Sequence, residues 1–474
     1  MIGFVVGRIL LTEAVLLLLP LGAAAVYRES GVPYLATMAL LVLAGAALGL
    51  RRPRETALYA RDGFAVVALA WILVSAFGAL PFVFSGDIPG YVDAFFETVS
   101  GFTTTGATIL TEVERLHRGI LFWRSFTHWV GGMGVLVFVM AILPMTDGHG
   151  MHLMRAEVPG PSVGKLVSRM SDSAKILYGI YAAMTLIEIV LLLCGGMPVF
   201  DACIHAFGTA GTGGFSSRGL SVGAYQNAYF DVVIATFMLL FSINFNLYYF
   251  LLIRRFREVA RSETLWAFLG IVLGAVVLIT VNICPLYGSA LTGARYAYFQ
   301  VASIISTTGY STVDFNAWPT LSRSILVVLM FIGACAGSTG GGIKVIRVQL
   351  LVKSMVRDIR RTVHPKSVNT VKLDGHTVDE GILSGVQGFF FAYILILLSA
   401  MVIVSLDGFS FETNFTAVLA TLSNIGPGLG MVGPTGNFSA FSDLSKLVLS
   451  MCMLIGRLEI FPILMLFAPG AWKK

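Results

Sequence analysis

From residue 64 to residue 468 the chain repeats one pattern four times. A long apolar run is followed by a short apolar segment, then a polar knot of Thr and Gly, then a second long apolar run. The runs before the knots cover about 64–84, 176–197, 264–285 and 382–406; those after them cover about 119–144, 228–253, 322–349 and 444–468. A bilayer-crossing helix needs roughly 20 apolar residues, so the long runs qualify and the short segments (YVDAFFETVSGF, DACIHAFGTA, ARYAYFQVASII, ETNFTAVLATLS) do not. Two further runs, 3–26 and 34–50, stand in front as a hairpin. The expected fold is an all-α polytopic membrane protein: ten spans and four half-length helices, in four repeats around a pore.

Composition agrees. The 474 residues are 56% hydrophobic and 12% charged, with a mean hydropathy of +0.83, whereas a soluble protein carries about a quarter charged residues. No polar stretch exceeds roughly forty residues, below the size of a soluble domain. The first thirty residues resemble a signal peptide, with GAAAV at the cleavage position, but Arg8 and Glu13 interrupt the apolar core; the segment reads as a retained helix.

Charge sets the orientation. Most of the 32 lysines and arginines fall in five places: 51–62, 155–175, 254–261, 344–372 and the terminal Lys473 and Lys474. Positive charge favours the cytoplasmic side, so these segments, and with them both chain ends, are expected there. The knot-side loops instead carry Asp87, Asp93, Glu112, Glu114, Asp201, Asp314, Asp407 and Glu412. A unit of two spans returns to the side it left, so the four units run parallel rather than inverted. The expected division is 1–50 for the hairpin, then 51–150, 151–257, 258–362 and 363–474 for the units. The basic clusters flank spans and lack interleaved aromatics, which argues against nucleic acid. The five cysteines show no CxxC spacing, and His149 and His152 have only Asp147 beside them as a further ligand; the sequence gives no transition-metal site or disulfide framework.

The knots carry the chemistry. Their aligned tetrads are Thr104-Thr105-Gly106-Ala107, Thr212-Gly213-Gly214-Phe215, Thr307-Thr308-Gly309-Tyr310 and Asn424-Ile425-Gly426-Pro427, sharing only the third-place glycine. One such knot is an ordinary re-entrant turn. Four in equivalent contexts read as a cation filter, because non-helical backbone at membrane depth is tolerated where it lines a path. Carbonyl oxygens there replace the ion's water without a fixed charge, so the ion can leave. Glycine reaches the left-handed angles that aim successive carbonyls inward. The short helices end at the knots, and helix C-termini favour cations.

Two features fall below the filter. GACAGSTGGGIKVIR (333–347) interrupts a span with glycines, including Gly337, Gly340, Gly341 and Gly342, next to Lys344. It lacks the Gly-Lys-Ser/Thr order of a phosphate loop and reads as a flexible gate. Arg457 lies deep in the last span and must face protein or water. It is either a partner of Glu459 or Glu188 in an ion pair, or a cationic barrier on the path. Arg124 and His128 interrupt another span and are expected near the outer mouth or between units; no transport role is assigned to them.

FTTTGAT, TAGTGGFS, STTGYST and SNIGPGLG, with WVGGMG and GSTGGGIKVIR, resemble the Trk/Ktr/HKT superfamily of cation transporters over nearly the whole chain. The extra hairpin is like the Trk branch rather than the Ktr branch. The resemblance implies potassium uptake across the bacterial inner membrane through a gated, channel-like pore. It implies a homodimer in membrane lipid and a cytosolic ring of TrkA type, which would bind NAD and ATP or ADP; no cofactor is expected on this chain. It assigns K+ to the carbonyls of Thr104, Thr105, Thr212, Gly213, Thr307, Thr308, Asn424 and Ile425, and glycine at all four filter positions favours K+ over Na+. The alternative is a secondary transporter coupled to H+ or Na+, which needs titratable carboxylates on the path; only Glu188 and Glu459 lie deep in spans. An enzyme is not expected, since no nucleophile stands beside a base.

Overall fold

The computed structural model describes residues 2–49, 60–134, 170–366 and 369–467. Residues 51–59, most of 155–175, Lys473 and Lys474, the His149–His152 pair with Asp147, and the second half of the run 119–144 lie outside the described residues. Among the described residues the one sheet is a two-stranded hairpin, Lys372–Leu373 against His376–Thr377; the rest of the regular structure is helical.

Among the described residues six helices are long and apolar enough to cross a membrane: Ile2–Val26, Val32–Gly49, Asp62–Ser85, Ala174–Cys194, Glu263–Tyr287 and Glu380–Asp407. They are the front hairpin and the first span of every unit. Their outer faces expose Leu273, Val277 and Val281, or Leu395 and Val402, at no cost where the solvent is hydrocarbon. The half-helices are Tyr91–Phe102, Val199–Gly211, Ala290–Ile305 and Phe411–Leu422, and the last turns of each are fully buried.

The second spans depart from the expected continuous helices. Every one of them is interrupted or ends at mid-course. In unit 1, Arg118–Gly132 stops at its glycine pair. In unit 2, Ala228–Phe241 and Phe245–Leu252 meet at 91°, where the Asn244 side chain accepts from the Asn246 amide (2.9 Å) and starts a new helix. In unit 3, Thr320–Ile332 gives way to the glycine-rich loop before Val345–Val363. In unit 4, Asp443–Arg457 ends with Glu459 and Ile460 in left-handed conformation (φ 54° and 71°) before Phe461–Phe467. Length and hydropathy do not register such breaks, because the residues stay apolar while the backbone turns. The freed backbone groups find partners in other units. Cys335 N donates to Ser242 O (3.1 Å) and Phe245 N to Gly337 O (2.9 Å), while Thr339 Oγ1 donates to Phe241 O (3.1 Å). Such re-satisfaction is what makes a broken helix tenable away from water.

The front hairpin is fastened at both ends. Gly7 and Gly45 let its two helices touch backbone to backbone: a Cβ on Gly45 would stand 2.9 Å from both Gly7 O and Leu11 Cγ, the small-residue crossing common in membranes. In the loop between them, Glu29 accepts from Arg118 N (2.6 Å) and Gly119 N (2.8 Å). It thereby caps the first pore-side helix with negative charge at its positive end. The neighbouring His117 is hydrogen-bonded to Asp87 (2.9 Å), which holds its pKa above the ordinary imidazole value. Replacing Gly45 by Leu is expected to overpack this crossing at a cost of about 1–3 kcal/mol, read as a lower melting temperature of the purified protein.

Candidate functional site

Each half-helix ends in the same way. The residue in first tetrad position is left-handed, with φ of 56° at Thr104, 57° at Thr212, 60° at Thr307 and 56° at Asn424. Its amide bonds three residues back, and the next amide bonds five back: Thr105 N to Ser100 O (2.9 Å), Gly213 N to Gly208 O (2.8 Å), Thr308 N to Ser303 O (2.9 Å) and Ile425 N to Ala420 O (2.8 Å). This is the Schellman termination, four times over. Glycine is usual at that left-handed position; here Thr and Asn occupy it. The third position is left-handed again, at Gly106, Gly214, Gly309 and Gly426 (φ 79°, 76°, 84° and 96°). The chain thus turns twice within three residues at every helix end.

The four ends close into a ring. A Cβ on Gly106 would collide with Gly213 O, on Gly214 with Thr308 O, on Gly309 with Ile425 O, and on Gly426 it would lie 2.7 Å from Thr105 O. Each glycine Cα therefore rests on the carbonyl that precedes the glycine of the next unit, in the order 1–2–3–4–1. These contacts bring together Thr105, Gly106, Gly213, Gly214, Thr308, Gly309, Ile425 and Gly426; Thr104, Thr212, Thr307 and Asn424 directly precede them at the helix ends. The Asn424 side chain closes the seam between units 4 and 1 by donating to Thr105 Oγ1 (3.0 Å) and Met453 O (2.9 Å). Four helix C-termini point their partial negative charge, each about half an electron, at the ring.

On the side of the strands that leave it, the ring opens into a cavity lined by all four glycines and by Thr108, Ser216, Ser311 and Pro427. Polar side chains of the half-helices brace the strands leaving the ring. Glu97 accepts from Thr108 Oγ1 (2.8 Å) and Ile109 N (3.0 Å). His205 Nε2 is bonded to Ser216 Oγ (2.9 Å), and Gln300 Nε2 donates to Thr312 Oγ1 (3.4 Å). Thr416 Oγ1 accepts from Leu429 N (2.9 Å). Sequence reasoning missed these braces, although Glu97, His205 and Gln300 stand at the same offset ahead of their glycines.

Elsewhere around the ring the glycine-rich loop presses against it. Gly341 N donates to Thr307 Oγ1 (2.6 Å). Its Cα leaves no room for a Cβ beneath Ser423 O, and a Cβ on Gly340 would be 2.8 Å from Ser306 O. The buried Lys344 (φ 82°) turns its ammonium back onto Gly340 O. Gly342 packs on Gly333, and Gly337 faces the Asn244 side chain rather than the ring. Arg457 joins three units: it donates to Thr339 O (2.8 Å), Gly131 O (2.5 Å) and Gly132 O (2.8 Å). Of the two ion-pair partners considered for it, Glu459 is paired with Arg347, and Glu188 lies buried on the span Ala174–Cys194.

A ring of backbone oxygens at the meeting point of four helix-turn units, with spans around it, defines a polytopic membrane protein with a central polar path. Residues 32–473 match the TrkH family, described as cation transport protein; the chain belongs to that family. It is similar to the Trk system potassium uptake protein TrkH of Salmonella typhimurium, with 40% identity over 99% of this chain and 98% of that protein. It is also similar to the Trk system potassium uptake protein TrkG of Escherichia coli, with 32% identity over 96% and 95%. The crystal structure of the potassium transporter TrkH from Vibrio parahaemolyticus superimposes with a TM-score of 0.90 at 35% identity, covering 100% of this chain and 99% of that one.

The left-handed first position makes a test of the ring's geometry. β-Branched residues are poorly accommodated there, and the conformation costs roughly 1–2 kcal/mol for a residue other than glycine. Thr212→Val is expected to melt below Thr212→Gly, by about that amount in thermal unfolding.

Proposed function

We propose that this chain takes up potassium across the inner membrane through a gated, channel-like pore. The observation that carries the reading is the closed ring in which four glycines rest on the carbonyls of Thr105, Gly213, Thr308 and Ile425. Such oxygens substitute for hydration water without binding the ion irreversibly. The named relatives are potassium uptake proteins, which fits K+ as the transported ion. The division at about residues 50, 150, 257 and 362 into a hairpin and four pore units belongs to this reading.

The glycine-rich loop is the gate in this proposal, with Gly340, Gly341 and Lys344 below the ring, Gly337 and Gly342 as its turning points, and Arg457 as the cation that holds it closed. Both termini are cytoplasmic. The helix Val345–Val363 exposes a stripe of Val352, Met355, Ile359 and Val363, which suits a second copy of the chain in a homodimer. A cytosolic ring of TrkA type acts on the gate, and nucleotide binds to that partner rather than to this chain. The coupled-transporter alternative needs a titratable carboxylate on the path; Glu459 is engaged by Arg347, and Glu188 is buried on the span Ala174–Cys194 and does not line the cavity at the ring, so the channel reading is preferred.

Flux in liposomes compared for K+, Rb+, Na+ and Li+ tests the filter. The parent protein should favour K+ and Rb+, and Gly309→Ser should lose discrimination against Na+, because the added side chain displaces Ile425 O. Arg457→Gln tests the gate. It removes two or three charge-assisted hydrogen bonds, each of about 1.5–3 kcal/mol, and should raise K+ flux without the regulatory partner by about tenfold or more; unchanged flux would exclude Arg457 from gating.

A further inference from the structure

The second span of unit 1 carries a buried cation that the transport reading leaves without a role. Arg124 is 2% exposed. Its Nε donates to Glu97 Oε1 (2.6 Å) and its Nη1 to Ser216 O (3.2 Å), and its guanidinium carbon lies 3.5 Å from the centroid of the Phe215 ring. Glu97 is the brace that holds Thr108 and Ile109, the strand leaving the ring in unit 1. Phe215 and Ser216 directly follow Gly214 and are the strand leaving the ring in unit 2. One guanidinium therefore ties the outgoing strands of two adjacent units to a single point.

One helical turn further along, His128 completes the support. Its Nδ1–H donates to Gly101 O (2.7 Å), the last turn of the first half-helix. Its ring lies 4.2 Å from that of Phe215 and fills the space in which a Cβ on Gly213 would stand. Phe215 is thus held by a cation and an imidazole from one helix, and Gly213, whose carbonyl belongs to the ring, is backed by the same imidazole. The support continues into unit 3, where Tyr310 Oη donates to His205 O (3.0 Å) and Phe215 O (3.2 Å). At the equivalent positions after the glycine, units 1 and 4 have Ala107 and Pro427, neither of which can reach a neighbour in this way.

A carbonyl ring whose oxygens keep their spacing penalises an ion too small to reach them all. Oxygens free to move inward would coordinate the smaller Na+ as readily as K+. We propose that Arg124 is a positioning residue: with Glu97 in front and Phe215 and His128 behind, it holds the outgoing strands of units 1 and 2 at the width that admits K+ and disfavours Na+. The planar fork of arginine matters here, because separate N–H groups serve the carboxylate and the Ser216 carbonyl at once while the face covers the aromatic ring. The inference rests on reading the ring as the filter.

The test is K+ and Na+ flux in liposomes for purified Arg124→Gln, Arg124→Lys, Phe215→Leu and Gly309→Ser, with the melting temperature of each recorded. Losing the charge-assisted bonds should lower the K+/Na+ flux ratio about tenfold in Arg124→Gln. Arg124→Lys should recover part of the ratio, and Phe215→Leu, which leaves the ion pair intact, should lose less than Arg124→Gln. A role confined to stability would reduce K+ flux and melting temperature with the ratio within about twofold of the parent; that result overturns the proposal. Should Arg124→Gln not fold, Phe215→Leu and Arg124→Lys decide by the same criterion. A Gly309→Ser protein that discriminates like the parent overturns the filter reading itself, whereas loss of the ratio there alone overturns only the part given to Arg124.

Discussion

Everything in this molecule is arranged around the contact between a glycine Cα and the carbonyl oxygen of the next unit. That contact is possible only without a Cβ, and only when the preceding helix has been stopped and the chain reversed within three residues. The left-handed residue at first position stops the helix, and the glycine turns the strand outward. Four copies must do this together, because each glycine is supported by its neighbour and supports the one before it. A ring of this kind has no end at which strain could relax.

The second constraint follows from the surroundings. Backbone that leaves the helix within the membrane must be hydrogen-bonded by protein, and each unit on its own lacks the partners. The breaks in the second spans therefore trade bonds: the carbonyls of Phe241 and Ser242 are taken up by the glycine-rich loop, and those of Gly131 and Gly132 by Arg457. The buried charges are local answers to the same demand. Glu97 and Arg124 neutralise each other while satisfying one strand amide and a carbonyl, and Arg347 meets Glu459.

Much of this architecture was legible in the chain. The spacing of apolar runs predicts the hairpin, the first spans and the half-helices, because each depends on length and hydropathy, which a sequence carries openly. The repetition of glycine at equivalent places marks the ring, since only a backbone requirement explains one shared residue among varied neighbours. The breaks in the second spans were legible only at 333–344, where glycines are dense; at Ser242–Asn244 and after Arg457 the turn is imposed by tertiary partners and leaves little trace in composition. The left-handed Thr104, Thr212, Thr307 and Asn424 were hidden for a related reason: nothing in a threonine announces positive φ. The partners of Arg457 could not be read either, because its acceptors are main-chain oxygens more than a hundred positions distant.

The glycine-rich loop has one property that its sequence does not advertise. It lies in unit 3, yet its main-chain groups are held by the broken helix of unit 2, by Thr307 of its own knot and by Arg457 of unit 4. A segment tethered on three sides at once stays in place while any one tether holds, so a single broken bond re-forms before the loop can leave. Its departure is therefore a concerted step, and a gate of the kind proposed above, built on this loop, passes between shut and unobstructed with no long-lived halfway arrangement.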